Sequence, residues 1–149
     1  MLALLFALIL GDALPPLPLT ALDGSKVVLA ADGKIKVVDF FAPWCEPCRR
    51  SIPALERLRA RFPTVEFISL AEERDPARVK AFALETKLKS RILLDGDGAA
   101  YRALGAHTLP TTFVVDGKGI IRRINHGFGG GYEARMAKWI EALLGYGPI

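Results

Sequence analysis

The run Ile35-Lys36-Val37-Val38-Asp39-Phe40-Phe41 constrains this chain most. Its β-branched and aromatic residues occupy both alternating faces, so it reads as a strand buried on both sides. Three positions further on comes Trp44-Cys45-Glu46-Pro47-Cys48, which holds both cysteines of the chain. Pro47 falls in what would be a first helical turn, where its missing N–H costs nothing and its fixed φ suits a helix. Ile52, Leu55 and Leu58 then share one face of a helix over 45–61. Pro53 within it is expected to kink it. A doubly buried strand that turns straight into a helix requires layers on both sides of a sheet.

The remaining pattern extends that plan. Segments 17–22 and 26–30, separated by Asp23-Gly24, read as a hairpin. Val65 to Leu70 is a second buried strand, and Asp75-Pro76 offers an N-cap and N1 proline for a helix to about residue 87. Arg91 to Leu94 reads as a strand stopped by Asp95-Gly96-Asp97-Gly98, with a short helix at 99–104. Strands at 111–115 and 119–125 bracket the Asp116-Gly117-Lys118-Gly119 turn, and 132–144 is an amphipathic helix. Strands alternating with helices and ending in a hairpin imply an α/β sandwich with a mixed sheet.

At 149 residues and 51% apolar, the chain has material for one core and no second. Its +4 formal charge comes from arginines interleaved with acids, as in Glu56-Arg57-Leu58-Arg59-Ala60-Arg61. That is a solvated helix face, without the concentrated basic patch and stacking aromatics of a nucleic-acid site. Met1 to Leu10 is uninterruptedly apolar and is followed by Gly11-Asp12-Ala13. Its length matches the apolar core of an export signal and spans only about half a bilayer as a helix. The charged residues that normally precede such a core are missing. Residues 1–13 are therefore expected to be an export or anchoring segment, with residues 1–10 as a membrane tether, ahead of a domain over 14–149; an ordinary packed segment is the alternative.

Two thiols at this spacing can stand open or close as a disulfide. The thiolate is the reactive form, and a helix N-terminus lowers a cysteine pKa from about 8.5 by one to several units. Cys45 at the helix start would gain that effect, Arg49 and Arg50 would add to it, and Glu46 would oppose it. Cys48, one turn on, would face inward and resolve a mixed disulfide formed at Cys45. Structural zinc normally takes four ligands in close pairs, and only His107 and His126, 19 positions apart, could complete a set here. An inert staple gains little from so short a ring.

The segment Asp39-Phe40-Phe41-Ala42-Pro43-Trp44-Cys45-Glu46-Pro47-Cys48, with Pro53 five residues after the second cysteine, resembles the thioredoxin superfamily. Leu109-Pro110-Thr111-Thr112-Phe113-Val114-Val115-Asp116 is similar to that superfamily's cis-proline loop and following strand. Together these motifs imply a thioredoxin-like three-layer sandwich over essentially residues 14–144. The N-terminal hairpin and the inserted helix and strand near 79–94 resemble the TlpA/ResA-like branch, in which Cys-Glu-Pro-Cys also occurs. That resemblance implies a protein-disulfide oxidoreductase that needs no cofactor beyond its own Cys45-Cys48 disulfide and binds no metal. Its partners would be protein thiols and disulfides, including apocytochromes c, and an upstream thiol reductant. Members of the branch are typically exported or membrane-tethered, so an extracytoplasmic, periplasmic or membrane-anchored, monomer is expected, with the cytoplasm as the alternative.

Two departures from the branch bear on mechanism. Asp39 stands where the branch often has Asn, and matches the buried aspartate of thioredoxin. Ser51 stands where ResA-like members carry Glu. Asp39 is therefore expected to be buried beneath the cysteines, with its pKa raised by desolvation, and to accept the Cys48 proton. A cis Leu109-Pro110 bond would present the backbone of Leu109 to a substrate strand, and Trp44 would shield Cys45 and touch substrate. Glu46 and Pro47 would tune the thiol. His107 reads as a lone surface residue, and His126 is given no role. The glycine-rich loop 127–131 is expected to let the backbone approach the active-site face. A Sco-like copper metallochaperone, which would need both thiolates and a histidine, is the second reading, although such proteins space their cysteines by three. A peroxiredoxin is the third, but no Pro-x-x-x-Thr-x-x-Cys precedes Cys45.

Overall fold

The computed structural model describes residues 10–146. Residues 1–9 of the expected export or anchoring segment lie outside the described residues. Strand β3 (Lys36–Phe41) is buried at all six positions, as its two-faced apolar pattern requires. It runs parallel to β4 (Glu66–Ala71) on one side and antiparallel to β6 (Thr111–Val115) on the other. Beyond β4 lies β5 (Arg91–Leu94), again parallel, and beyond β6 lies β7 (Ile121–His126), antiparallel. The hairpin of β1 (Leu17–Ala21) and β2 (Lys26–Leu29) joins at β5, giving the order β2-β1-β5-β4-β3-β6-β7 among the described residues.

Three helices pack on one face. Helix α1 (Glu46–Arg61) lies centrally, flanked by α2 (Pro76–Thr86) and α4 (Tyr132–Leu144). Its Leu55 and Leu58 meet Val37, Val114, Met136 and Ile140 at one end, while Ile52 and Cys48 meet Phe41, Val79 and Phe82 at the other. The opposite face, with Val38, Phe40, Ile68 and Phe113, is closed by α3 (Ala99–Ala103) and by Leu14, Leu17 and Leu29. The result is the three-layer sandwich with hairpin and inserted helix-strand that the motifs implied.

Local chemistry explains the boundaries. Asp75 caps α2 by accepting from Ala77 N–H at 2.9 Å, Pro76 follows at the first helical position, and Lys87 ends the helix in the left-handed region at φ 59°. Pro53 lies inside α1, which runs as one element from Glu46 to Arg61. Strand β7 runs from Ile121 to His126; it starts later than its apolar pattern suggests because Asp116 Oδ1 accepts from Lys118 N–H and Ile120 N–H and so holds residues 116–120 in the turn. Ahead of β1 the chain is tied to that turn: Gly11 N–H donates to Ile121 O, Ile121 N–H to Asp12 O, and Leu14 N–H to Gly119 O.

Candidate active site

Cys45 sits at the junction of sheet and helix. It is the N-cap of α1, extended at φ −93° and ψ 109°, and its Sγ accepts from Cys48 N–H at 3.3 Å. A cysteine therefore fills the capping role usually taken by Ser or Asp, with its sulfur at the positive end of the helix dipole. It is joined to Cys48 in a disulfide with Cα atoms 5.3 Å apart. Cys45 keeps 6% exposure whereas Cys48 has none. What exposure the pair retains belongs to Cys45.

Neighbouring residues sort into an exposed rim and a buried layer. Trp44, 72% exposed, stands on the rim. Glu46 lies 3.8 Å from Arg49, whose guanidinium also pairs with Glu85 at 2.7 Å and lies over Phe82, so its charge is shared among partners before it reaches the sulfur. Ser51, fully buried where the branch has an acid, donates back to Cys48 O at 2.9 Å. The Leu109–Pro110 bond is cis, and half-buried Leu109 packs on the cluster that contains both cysteines. Gly127 N–H donates to Pro110 O at 2.7 Å. The glycine loop thus meets the proline loop through its backbone. A Cβ on Gly127 would meet nothing within 4 Å, so glycine is needed there for its φ of +77° and not for close approach.

Asp39 lies in β3, in the sheet layer beneath α1. It alternates with Val37 and Phe41 on the face beneath α1, 3% exposed. Register places Thr112 of β6 on one side of it and Ser69 of β4 on the other. Thr112 Oγ1 donates to Asp39 Oδ1 at 2.7 Å and shares a hydrogen bond with Tyr132 Oη at 2.9 Å. Burial pushes the Asp39 carboxyl up to about 7, with the Thr112 hydrogen bond opposing it. Tyr132 is pushed up as well, by burial first and then by the charge of Asp39.

Sequence reasoning missed several members of this neighbourhood. Thr112 and Tyr132 show in the sequence only as strand and helix residues, although a threonine directly before Phe113-Val114-Val115 in a buried strand signals a polar group that needs a partner. Glu72 was not singled out. It follows β4 at the same end of the sheet, where burial, contact with Asp95 and the charge of Asp95 push its carboxyl up to about 9. Asp95 itself accepts from the N–H groups of Ala100 and Tyr101 at 2.9 Å and holds the start of α3. His107 is not a lone residue: its ring stacks on His126 at 4.7 Å and 15°, because β6–β7 pairing sets His126 opposite Thr111, beside the proline loop. Among the described residues, no three His, Cys, Asp or Glu side chains gather where they could hold a metal ion, so His126 and the cysteine pair do not form one donor set.

A redox-closed Cys-x-x-Cys at the N-terminus of a helix, on a thioredoxin-like sheet with a cis-proline loop, defines a thiol-disulfide oxidoreductase. The Redoxin family model matches residues 9–137, and the chain belongs to that family. It is 36% identical over 126 residues to thioredoxin-like protein YneN of Bacillus subtilis, covering 78% of this chain and 71% of that protein. Thiol-disulfide oxidoreductase ResA of Bacillus thuringiensis is 30% identical over 113 residues, 74% of this chain and 65% of ResA, so the chain spans slightly under two thirds of that relative. Among solved structures, one described as thiol:disulfide interchange protein DsbE from Chlorobium tepidum superposes with a TM-score of 0.86 at 25% identity, over 93% of this chain and 99% of the other.

Proposed function

We propose that the chain is a reductant of disulfides in extracytoplasmic partner proteins. Cys45 attacks a partner's disulfide and forms a mixed disulfide; Cys48 then attacks Cys45 and releases the partner as a dithiol. The observation that carries this reading is the asymmetry of the pair, a Cys45 that caps α1 and keeps 6% exposure against a Cys48 that has none. Asp39, in the sheet layer beneath α1 and titrating near neutrality, accepts the Cys48 proton. Leu109 and Pro110 offer backbone to an extended substrate segment, Trp44 supplies an apolar contact, and Glu46 and Pro47 tune the cap. An upstream thiol reductant resets the pair, and apocytochromes c are among the substrates.

The apolar run at 1–10 supports export or anchoring. Pairing of Gly11, Asp12 and Leu14 with residues 119–121 supports starting the domain at Gly11 and treating the run before it as a tether. Direction is tested by redox titration of the Cys45/Cys48 pair. A potential near that of thioredoxin, about −270 mV, is expected; one near −120 mV would make the protein an oxidant and overturn the reductive assignment.

A further inference from the structure

Asp39 is 3% exposed, yet a base that takes a proton in every cycle must also discharge it. Two polar branches leave its carboxyl. One runs through Thr112 to Tyr132 and stops inside the protein, since Tyr132 is 1% exposed. The other crosses a cavity of about 10 Å³ lined by Asp39, Glu56, Ser69, Ser90 and four apolar side chains. That volume is the least that takes one water, and four polar residues supply the two to four partners a buried water needs. In its lining Ser69 Oγ and Ser90 Oγ lie 2.6 Å apart, and Ser90 is only half-buried.

Glu56 holds this exit in shape. From α1, its Oε1 accepts Lys89 N–H at 3.0 Å and Ser90 N–H at 3.1 Å, while Oε2 pairs with Arg59 at 2.9 Å. The polar groups set around Asp39 are thus Ser69 from β4, Thr112 from β6 with Tyr132 of α4 behind it and Arg135 acting on that tyrosine, and, across the cavity, Glu56 of α1, itself paired with Arg59, and Ser90 from the segment before β5.

We propose that the Asp39–cavity–Ser69–Ser90 seam is the route by which Asp39 exchanges its proton with solvent, with Ser69 and Ser90 as positioning residues for the exchange reaction. This rests on Asp39 acting as the base for Cys48. The Cys48 thiol passes its proton to the Asp39 carboxylate; the Cys48 sulfur bonds to the Cys45 sulfur, and the partner leaves as a thiolate that is protonated by solvent. Asp39 gives its proton to a water in the cavity, that water gives one to the Ser69 hydroxyl, and the Ser69 proton moves through Ser90 to bulk water.

Stopped-flow reaction of the reduced protein with 5,5′-dithiobis(2-nitrobenzoate) tests it. Chromophore is released first by Cys45 attack and again by Cys48 attack on the mixed disulfide. Because the Asp39 carboxyl titrates near 7, a large share of it starts protonated at pH 7 and must discharge through the seam before it can accept from Cys48; Ser90→Ala and Ser69→Ala are therefore each expected to lower the ratio of second-phase to first-phase rate about five-fold at pH 7 and to enlarge its solvent deuterium isotope effect, and Ser90→Thr to restore both. A wild-type ratio and isotope effect in both alanine variants, or an equal loss in Ser90→Thr, overturns the route. Asp39→Asn separates the two levels: a slowed second phase there with wild-type serine variants removes the route and leaves the base, whereas an unchanged second phase removes both.

Discussion

Asp39→Asn should stabilise the oxidised protein at neutral and alkaline pH, with little or no advantage near pH 5. An unfolded aspartate titrates near 3.8, but the folded carboxyl titrates near 7 because burial disfavours its charge. Between those values the folded state holds a proton that the unfolded state has released, so stability falls as pH rises from about 4 through 7 and levels above 8. From the two pKa values, the cost of Asp39 is about 2 kcal/mol at pH 5 and about 4 kcal/mol at pH 8. Asn keeps an oxygen for the Thr112 hydroxyl but adds an N–H₂ that needs partners, a roughly pH-independent penalty of about 1–2 kcal/mol. The variant's advantage should therefore grow by about 2–3 kcal/mol between pH 5 and pH 8, whatever that constant penalty is. Urea unfolding of both oxidised proteins across this range measures it. An advantage that stays flat or shrinks with pH would refute the reasoning, because the carboxyl would then not be protonated at neutral pH in the folded state.

Other perturbations follow from the same geometry. Glu72→Gln should also stabilise above pH 5 and be neutral near pH 4, since the folded carboxyl titrates near 9; with the group partly solvated the gain at pH 8 should be about 1–2 kcal/mol, read by the same unfolding series. Trp44→Ala, at a position 72% exposed, should leave stability within about 0.5 kcal/mol yet slow reduction of a protein disulfide such as insulin's roughly five-fold more than that of a small disulfide. Gly127→Ala has open space for its methyl but keeps φ +77°, so thermal unfolding should show a loss of about 1–2 kcal/mol with the fold retained.

The sequence carried the sheet and the cysteine pair well because their signals are local. Val37 to Phe41 must be a buried strand whatever surrounds it, and Cys45 followed by Pro47 marks a helix start by capping chemistry alone. Strand β5 and helix α4 were legible for the same reason, through Asp95-Gly96 punctuation and 3.6-residue periodicity. What was not legible depends on register. Thr112 meets Asp39 only because β6 pairs antiparallel with β3 at that step, and Ser69 flanks it only because β4 pairs parallel at the same step. The His107–His126 stack and the Glu72–Asp95 contact likewise join residues from different segments whose spacing has no local meaning. The start of β7 was misplaced because Asp116 closes its turn through two backbone N–H groups, a long reach for one side chain that apolar patterning does not register.

The division of labour between the two cysteines is tested most directly by trapping. Cys48→Ser retains the capped, accessible thiol and should accumulate a covalent mixed disulfide with a disulfide-bonded substrate, visible as a reducible mass adduct on Cys45. Cys45→Ser leaves only the buried thiol and should accumulate none under the same conditions. Adducts formed at Cys48 in the Cys45→Ser protein, at a rate equal to or above that of Cys45 in Cys48→Ser, would contradict the account.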